Sequence, residues 1–333
     1  LDDFDPGPQW LRNLSIVGGP NRLVDSITKW SSRVTSAETL YETFSRAGEM
    51  AQRTPKGPTF LNVPMETMLE EWTPPANFRN KPVAPKTRPE TSDVKAIADL
   101  VIGANSPVIL ADSAGKTLEG FQALITLAES LNIPVFESEG PGYSNFPHNH
   151  PLHNGYDLKQ RYAEFDVFLV VGTRAPWYPA SNSPTNSTVV VIDENPIKEF
   201  MAYQDLGADH YLEGDLPASL ELLAEAIKSK GAKPKTIANN RGVWEKYRAL
   251  NDGADSSSPI EPGVLCNALS ENMPADAIYI DETIVHRPQI LRRINRDNPQ
   301  SYLRPIGGLG QGLGTALGVK LATPDRPVVA LMG

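Results

Sequence analysis

Short apolar runs in the middle of the chain constrain its fold more than any other feature. Such runs are typical of strands that are buried on both faces of a parallel sheet covered by helices. A helical pattern, Leu118–Leu131, lies between the first two runs, and an amphipathic helix, Leu216–Lys228, follows the last. The alternation predicts an α/β fold with a doubly wound parallel sheet. The predicted strands are Pro107–Ala111, Ile133–Glu137, Phe165–Val171 and Thr188–Asp193.

A smaller unit precedes this region and is separated from it by a linker pattern. Apolar residues at helical spacing predict a helix over Ser36–Gln52, and the run Pro58–Pro64 predicts a strand. One helix and one strand are too few to close a core, so we expect this unit to belong to a larger domain or to dock on a neighbour. Thr73–Pro89 is rich in proline and lysine, as extended linkers between domains are.

A third unit follows the polar exit loop Lys230–Asn240 and a second candidate linker, Asn251–Ser258. It is predicted to contain a helix from Pro262, a strand over Ala277–Asp281 and a helix from Pro288. This order of helices and strand again predicts a parallel sheet.

The last segment of the sequence is rich in glycine. Gly310, Gly314 and Gly318 recur at every fourth residue, so a helix here would carry a stripe without side chains, suited to close approach by a neighbour. The turn Thr323–Pro327 then leads into Val328–Gly333, which is predicted to be a buried parallel strand. In open α/β sheets ligands bind beyond the carboxyl ends of such strands. Glycines that serve tight helix packing alone are the simpler alternative.

Composition excludes several classes of function. The chain of 333 residues is 40% hydrophobic, which predicts two or so globular domains at about 100–200 residues per domain. A net charge of −9 without a Lys/Arg cluster argues against nucleic acid as a partner. No apolar stretch approaches the roughly 18 residues that span a membrane. The first residues lack the pattern of a secretory signal, and the single Cys266 cannot form an internal disulfide, so a cytoplasmic location is expected.

Short motifs also follow one another along the chain: Thr28–Ser31, Lys56–Pro64, Phe146–Pro151, Phe165–Arg174, Val191–Pro196 and Gly307–Gly318. In this order they resemble thiamine diphosphate enzymes of the acetolactate synthase and benzoylformate decarboxylase group. The resemblance covers nearly the whole chain. In that family a pyrimidine-binding domain, a central domain and a diphosphate-binding domain follow one another, and the cofactor lies between domains of two subunits.

The resemblance implies an α/β fold with three-layer parallel sheets flanked by helices, and incomplete first and third domains. It implies that residues 1–72 are the end of the pyrimidine-binding domain, 73–89 a linker, 90–240 the central domain and 258–333 the beginning of the diphosphate-binding domain. The glutamate that activates the aminopyrimidine in the family lies upstream of every matched segment. The Mg²⁺ motif would start at Gly333, with its ligands beyond it. This chain alone is therefore expected to be inactive.

Two segments are expected to hold thiamine diphosphate. Glu282, Thr283, Ile284 and Val285 follow a predicted strand, so their backbone N–H groups suit an anionic diphosphate. An ordinary strand-to-helix turn capped by Asp281 is the alternative. The resemblance assigns backbone groups around Gly308 and Gly310, beside Gln311, to the aminopyrimidine, and makes Leu309 the wedge that bends the cofactor.

Histidines offer weaker candidates. His286 follows the diphosphate turn and could donate a proton to substrate, but a solvent-facing helix residue is the favoured interpretation. His148, His150 and His153 do not share one helix face, and prolines interrupt their segment, so metal binding there is disfavoured.

The central domain leaves a flavin site open. Gly172–Arg174 resembles the segment that contacts FAD in acetolactate synthases. The predicted strand before it, however, is followed by Asp112–Gly115 rather than by a glycine run, so the resemblance does not decide whether FAD binds.

The sequence thus predicts a thiamine diphosphate- and Mg²⁺-dependent decarboxylase or carboligase acting on a small 2-oxo acid, and a homodimer or homotetramer in its full-length form. One alternative is an inactive fragment that serves as a nucleotide-binding or scaffold module. Another is a dinucleotide-dependent oxidoreductase, although the strict G-x-G-x-x-G spacing is missing between Gly307 and Gly318.

Overall fold

A computed structural model describes residues 19–73, 81–198, 201, 206–236, 241–249, 259–305 and 307–333. The chain divides into two compact units at Lys86, inside the predicted linker. The second candidate linker, Asn251–Ser258, lies outside the described residues, as do parts of Thr73–Pro89 and of Lys230–Asn240. The finer domain boundaries therefore stay a prediction.

The first unit contains a parallel pair of strands, β1 and β2, in register from Trp30↔Thr59 to Arg33↔Asn62. The predicted helix and strand of this unit are present with slightly shorter bounds. Strand β1 was not predicted, because Trp-Ser-Ser-Arg contains a single apolar residue. The elements are α1 Gly19–Val24, β1 Trp30–Arg33, α2 Ala37–Gln52, β2 Thr59–Asn62 and α3 Met65–Leu69.

The second unit begins with a five-stranded parallel sheet in the order β4-β3-β5-β6-β7. Every residue of β3 and β5 is buried, as their apolar sequences require. The predicted parallel sheet is confirmed. Strand β7 was missed because only Leu212 of its four residues is buried. The elements are α4 Thr91–Gly103, β3 Pro107–Ala111, α5 Leu118–Leu131, β4 Val135–Glu137, β5 Val167–Val171, β6 Thr188–Asp193, β7 His210–Glu213 and α6 Leu216–Ser229.

Apolar clusters cover both faces of this sheet. Alternate strand residues, such as Ile109 and Leu169, pack with α4, α5 and α6 in one cluster. Their neighbours, such as Val108 and Phe168, pack on the other face with Trp177 and other aromatic residues. The sheet is therefore the middle of three layers, and its loops are held at defined positions along the carboxyl edge.

A smaller parallel sheet, in the order β10-β8-β9, forms the remainder of the second unit. Its strand β8 is buried up to its last residue, Glu282. Before this sheet, helix α7 packs Trp244 against the rings of His148, His153 and Tyr156. The elements are α7 Arg241–Ala249, α8 Pro262–Asn272, β8 Ile278–Glu282, α9 Arg287–Arg293, β9 Tyr302–Leu303, α10 Gln311–Ala322 and β10 Val328–Met332.

Strand β10 is parallel as predicted, but the expectation that it is buried was wrong. None of its residues is fully buried, and Ala330 and Met332 are exposed. In the described sheet it pairs with β8 alone, so one of its edges and part of its surface are not covered. A uniformly apolar run predicted burial correctly for β5 and incorrectly for this edge strand.

The packed face of α10 also differs from the expectation. Its buried residues are Gly312 and Ala316, and Gly312 meets Glu282 and Met332 closely. A Cβ added at Gly310, Gly314 or Gly318 would meet no described atom within 4 Å. Residues four apart share a helix face, but the positions of β8 and β10 determine which face is packed. Within the described residues, the stripe of Gly310, Gly314 and Gly318 is therefore not the contact face.

Alanine substitutions at Gly312 and Gly314 should show which face of α10 is packed and which is open. Gly314→Ala should raise the free energy of unfolding by up to about 1 kcal/mol, because it removes backbone entropy from a helix interior without a clash. Gly312→Ala should lower it by about 1–3 kcal/mol, because its Cβ would lie 2.6 Å from Glu282 Oε2 and 2.8 Å from Met332 Cε. Urea unfolding of both variants checks this. Equal effects would contradict the assigned face.

None of the helices that the model describes is both long and apolar enough to cross a membrane.

Candidate functional site

The carboxyl end of β8 is a rigid turn built around a buried carboxylate. Asp281 Oδ1 accepts hydrogen bonds from the backbone N–H and the hydroxyl of Thr283, at 2.8 and 2.7 Å. Its Oδ2 accepts from the Tyr302 hydroxyl at 2.7 Å and lies 3.4 Å from Arg287 Nε. Burial, reinforced by the charge of Asp281, raises the pKa of Tyr302 well above its usual value. Tyr302 therefore stays a hydrogen-bond donor that fixes the turn.

The two segments predicted to hold the cofactor meet at this edge. The Glu282 carboxylate accepts hydrogen bonds from the backbone N–H groups of Gly310, Gln311 and Gly312, those of Gln311 and Gly312 at 3.2 and 2.7 Å. A carboxylate at a helix N-terminus satisfies amides that have no partner within the helix and interacts favourably with the helix dipole. Residues 282–285 and 308–311 are thus joined by the side chain of Glu282 at the start of α10.

Glu282 also changes what the predicted residues can offer a ligand. The N–H of Gly310 is already bonded to a carboxylate, and the hydroxyl of Thr283 is bonded to Asp281. By contrast, the side chains of Ile284, Val285 and Leu309 are 60%, 80% and 77% exposed. The site therefore presents apolar side chains and glycine backbone at its surface.

Glycine is required at one position of this segment. Gly310 has a φ of +91°, which side-chain-bearing residues rarely adopt. A Cβ at Gly308 or Gly310 would meet no described atom within 4 Å, so the backbone there is open to a close-lying ligand.

His286 and Gly333 lie beside the same edge. His286 is exposed immediately before α9, and its backbone carbonyl accepts a hydrogen bond from Gln289 N–H. Gly333 directly follows Met332, which pairs with Glu282 in the sheet register. The described residues contain no group of three His, Cys, Asp or Glu side chains that could hold a metal ion. The roles of His286 and Gly333 stay predictions.

The three central-domain histidines take part in internal contacts. His153 Nδ1 accepts from Gly155 N–H, so Nε2 carries the proton and donates to Glu137 Oε2 at 3.2 Å. His150 Nε2 lies 3.2 Å from Glu129 Oε1. His148 is buried against the ring of Trp244.

Sequence reasoning missed the buried network around Glu137. This residue ends β4 and is 1% exposed. Its carboxylate accepts hydrogen bonds from Asn145 N–H at 2.8 Å and from the Tyr156 hydroxyl at 2.9 Å. Arg296, from the segment after α9, is also 1% exposed and donates to the Tyr156 hydroxyl. The available signal was an acidic residue directly after the apolar run of β4; nothing in the pattern pointed to Arg296.

A second candidate site lies in the central sheet. Residues that follow β3, β4 and β5 line a cavity of about 350 Å³ at the carboxyl edge. The strand order places it where the chain crosses from one side of the sheet to the other, the usual ligand position in this architecture. Arg174, at the end of the segment Gly172–Arg174 that resembles a flavin contact, is one of the lining residues.

Comparisons with known proteins agree with this architecture. Residues 94–223 match the thiamine pyrophosphate enzyme central-domain family. Benzoylformate decarboxylase of Pseudomonas aeruginosa is 25% identical over 331 residues, covering 94% of this chain and 59% of that protein. The acetolactate synthase large subunit of Buchnera aphidicola is 24% identical over 327 residues, covering 92% and 56%. The chain therefore spans less than two thirds of the length of these relatives.

A solved structure shows the same fold. Benzoylformate decarboxylase from Polynucleobacter necessarius superposes with a TM-score of 0.75 at 23% identity, covering 93% of this chain and 60% of that one. The chain shares with that structure an α/β fold of parallel sheets flanked by helices. Residues 94–223 are similar to the central domain of thiamine pyrophosphate enzymes, and the resemblance of the chain to the acetolactate synthase and benzoylformate decarboxylase group is confirmed.

Proposed function

We propose that this chain belongs to an enzyme that decarboxylates a small 2-oxo acid with thiamine diphosphate and Mg²⁺, and that can ligate the product to a second carbonyl compound. One observation carries the proposal: the contact between Glu282 and the start of α10, which brings residues 282–285 and 308–311 to the same sheet edge. The similarity to decarboxylases and acetolactate synthases supports it. It is favoured over a dinucleotide oxidoreductase and over an inactive scaffold module.

The residues present fit thiamine diphosphate. Backbone groups of Ile284 and Val285 would hold the diphosphate, Gly308 and Gly310 the aminopyrimidine, and the exposed side chain of Leu309 would support the bend between the two rings. When bound, the cofactor supplies the electron sink for decarboxylation. Glu282 holds the start of α10 in place. Leu309 and its flanking glycines would restrict the position of the cofactor, and the apolar side chains of Ile284 and Val285 would exclude water beside it.

Mg²⁺ binding belongs to the same proposal. The ion would join the diphosphate to a motif that begins at Gly333, which follows the paired ends of β8 and β10. We propose no ligand set within this chain. Assembly as a homodimer or homotetramer and a cytoplasmic location stay predictions, the latter from the single, buried Cys266.

Flavin is not part of the proposal. The amides at the first turn of the central sheet are already bonded: Gly115 N–H donates to Asn145 Oδ1, and Gly120 N–H donates to Thr117 Oγ1. In doubly wound folds a nucleotide phosphate binds at this position. The cavity beside it, about 350 Å³, lies at the small end of the roughly 300–1,000 Å³ range of ligand sites. The FAD hypothesis stays a prediction without support from these contacts.

Calorimetric titration with thiamine diphosphate tests the function. We expect longer chains that contain these residues together with the Mg²⁺ motif to bind it saturably in the presence of Mg²⁺, and to lose this binding when EDTA removes the metal. The rate of decarboxylation of benzoylformate and of pyruvate would then be measured from the CO₂ released. Leu309→Ala should lower kcat about 100-fold, because a small misplacement of reacting groups has effects of this size.

The matched control is Leu321→Ala, which truncates a similarly exposed leucine near the end of α10, the helix that follows Leu309, and should leave kcat unchanged. If the 333-residue chain and longer chains that contain it all fail to bind the cofactor, the proposed function is wrong. If only the longer chains bind it, this segment is inactive by itself, as the sequence predicts.

A further inference from the structure

The cavity at the carboxyl edge of the central sheet has properties that the proposed function does not use. We call it the switch-point cavity, because it lies where loops after β3 and β5 diverge. Its volume is about 350 Å³, large enough for a small organic molecule. Its lining combines an aromatic group, Tyr162, Trp177 and Tyr178, with a basic group, Lys159, Arg174 and Arg304.

Two of the three acidic residues that line the switch-point cavity, Asp112 and Glu137, have partners within the protein, whereas the third, Glu139, is exposed. Asp112 accepts hydrogen bonds from the backbone N–H groups of Gly142 at 3.0 Å and Arg174 at 3.5 Å. Glu137 accepts from Asn145 and Tyr156 and lies beside Arg296. Asp112 and Glu137 are therefore held by groups of the protein, and Lys159, Arg174 and Arg304 supply the positive charge of the lining.

One donor in the wall is buried without a described partner. Trp177 is 6% exposed, and its indole Nε1 makes no hydrogen bond to any described residue. A buried N–H without an acceptor is costly. Arg304 donates one of its guanidinium N–H groups to the Gly140 carbonyl at 2.9 Å, which holds the side chain across the cavity edge.

The turn that follows β3, beside the switch-point cavity, is unsuited to binding the phosphate of a nucleotide. A Cβ at Gly115 would lie 1.8 Å from the Ser144 carbonyl oxygen, so the chain at Ser144 and Asn145 already fills the space beside the turn that follows β3. The Gly115 N–H is bonded to Asn145. A phosphate at this turn would find neither space nor an available amide, in contrast to the glycine-rich turns that bind dinucleotides.

We propose that the switch-point cavity binds a small aromatic carboxylate. The ring lies against Tyr162, Trp177 and Tyr178, and the carboxylate accepts charge-assisted hydrogen bonds at the basic side. Lys159 and Arg304 line that side and supply donors. This site needs neither thiamine diphosphate nor the residues at the edge of β8, so it stands apart from the proposed decarboxylase function.

Titration with benzoate as the probe tests the site. We expect one saturable site per chain, affinity for benzoate at least about tenfold above that for acetate, and no competition with thiamine diphosphate. Lys159→Gln should weaken benzoate binding by roughly tenfold, because it removes a positive charge from the lining, and Trp177→Phe should weaken it by a smaller factor, because it reduces the aromatic area of the wall. Lys228→Gln, which neutralises an exposed lysine on α6 outside the cavity, is the matched control and should have no effect.

Three results would overturn the proposal. Benzoate could give no saturable heat, or its binding could be insensitive to both cavity variants. FAD or AMP could bind and displace benzoate, which would make the cavity a nucleotide site. If instead benzoate competes with thiamine diphosphate and binding falls in Leu309→Ala, the carboxylate occupies the edge of β8, and that outcome rejects the cavity without affecting the proposed function.

Discussion

Replacing Arg296 with methionine should lower the free energy of unfolding by about 3–5 kcal/mol, the usual effect of leaving a buried charge without its partner. Arg296 and Glu137 are each 1% exposed, and Arg296 Nη2 lies 3.9 Å from Glu137 Oε2. The same guanidinium lies over the rings of Tyr156 and Tyr302, at 5.5 and 4.7 Å from the ring centres. Methionine keeps the apolar stem but removes the charge and the bond to Tyr156.

Urea unfolding monitored by circular dichroism measures this effect. Arg88→Met is the control, because Arg88 is exposed and its loss should change stability by no more than about 0.5 kcal/mol. Adding Glu137→Gln to Arg296→Met should restore part of the loss, because the uncompensated charge is gone. A loss of equal size for Arg88 and Arg296 would show that the buried pair contributes no more than a surface arginine.

The pH dependence provides a second measurement on the same pair. Burial alone would raise the pKa of Glu137, but the hydrogen bond from His153, the charge of Arg296 and the Asn145 N–H together hold this pKa below its ordinary value of 4.5. A carboxyl group with a lowered folded-state pKa stabilises the protein above its unfolded pKa, and this contribution is lost as pH falls through the folded value. The difference in free energy of unfolding between wild type and Arg296→Met should therefore be largest at neutral pH and decrease as the pH falls.

The second large effect is expected at Gly115. Alanine there would place its Cβ 1.8 Å from the Ser144 carbonyl oxygen and 2.6 Å from the carbonyl carbon. These are backbone atoms, so the clash cannot be relieved by rotating a side chain. The segment must move, and with it the bonds from Asn145 to Gly115 and Glu137. We expect a loss of about 3 kcal/mol, at the upper end of overpacking effects.

Gly103→Ala is the matched control for this substitution. Gly103 is the last residue of α4, and a Cβ there meets no described atom within 4 Å. Alanine should therefore raise stability slightly, by up to about 1 kcal/mol, through a smaller entropy of the unfolded chain. Thermal unfolding of both variants separates the two cases. Similar melting temperatures would contradict the close contact between Gly115 and Ser144.

Strands and helices with long buried apolar runs were predicted more accurately than short elements with few buried residues. Strands β3 and β6 and helix α5 begin and end at the predicted residues, because their apolar runs and caps lie in the local sequence. Strands β1, β7 and β9 were missed, because each is short and has few apolar residues. Pairing with a neighbour, rather than composition, makes these segments strands.

The candidate site was predictable in outline only. The sequence pointed to residues 282–285 and 308–311, and both segments lie at the carboxyl edge of β8. It did not reveal that the Glu282 side chain bonds the first amides of α10, or that Thr283 is bonded to Asp281. Those contacts depend on the orientation of α10 over the sheet, which no local pattern encodes.

The sequence by itself determined the class of fold, the order of its parallel strands along the chain and the family to which the protein is related. Periodicity and glycine spacing are local, so they specify elements and the faces that are able to pack. Only the tertiary structure decided that α10 packs through Gly312 and Ala316, that β10 lies at an edge, and that Arg296 reaches Glu137. These outcomes depend on contacts between residues far apart in sequence, where the geometry of neighbouring elements selects one packed face and one charge partner.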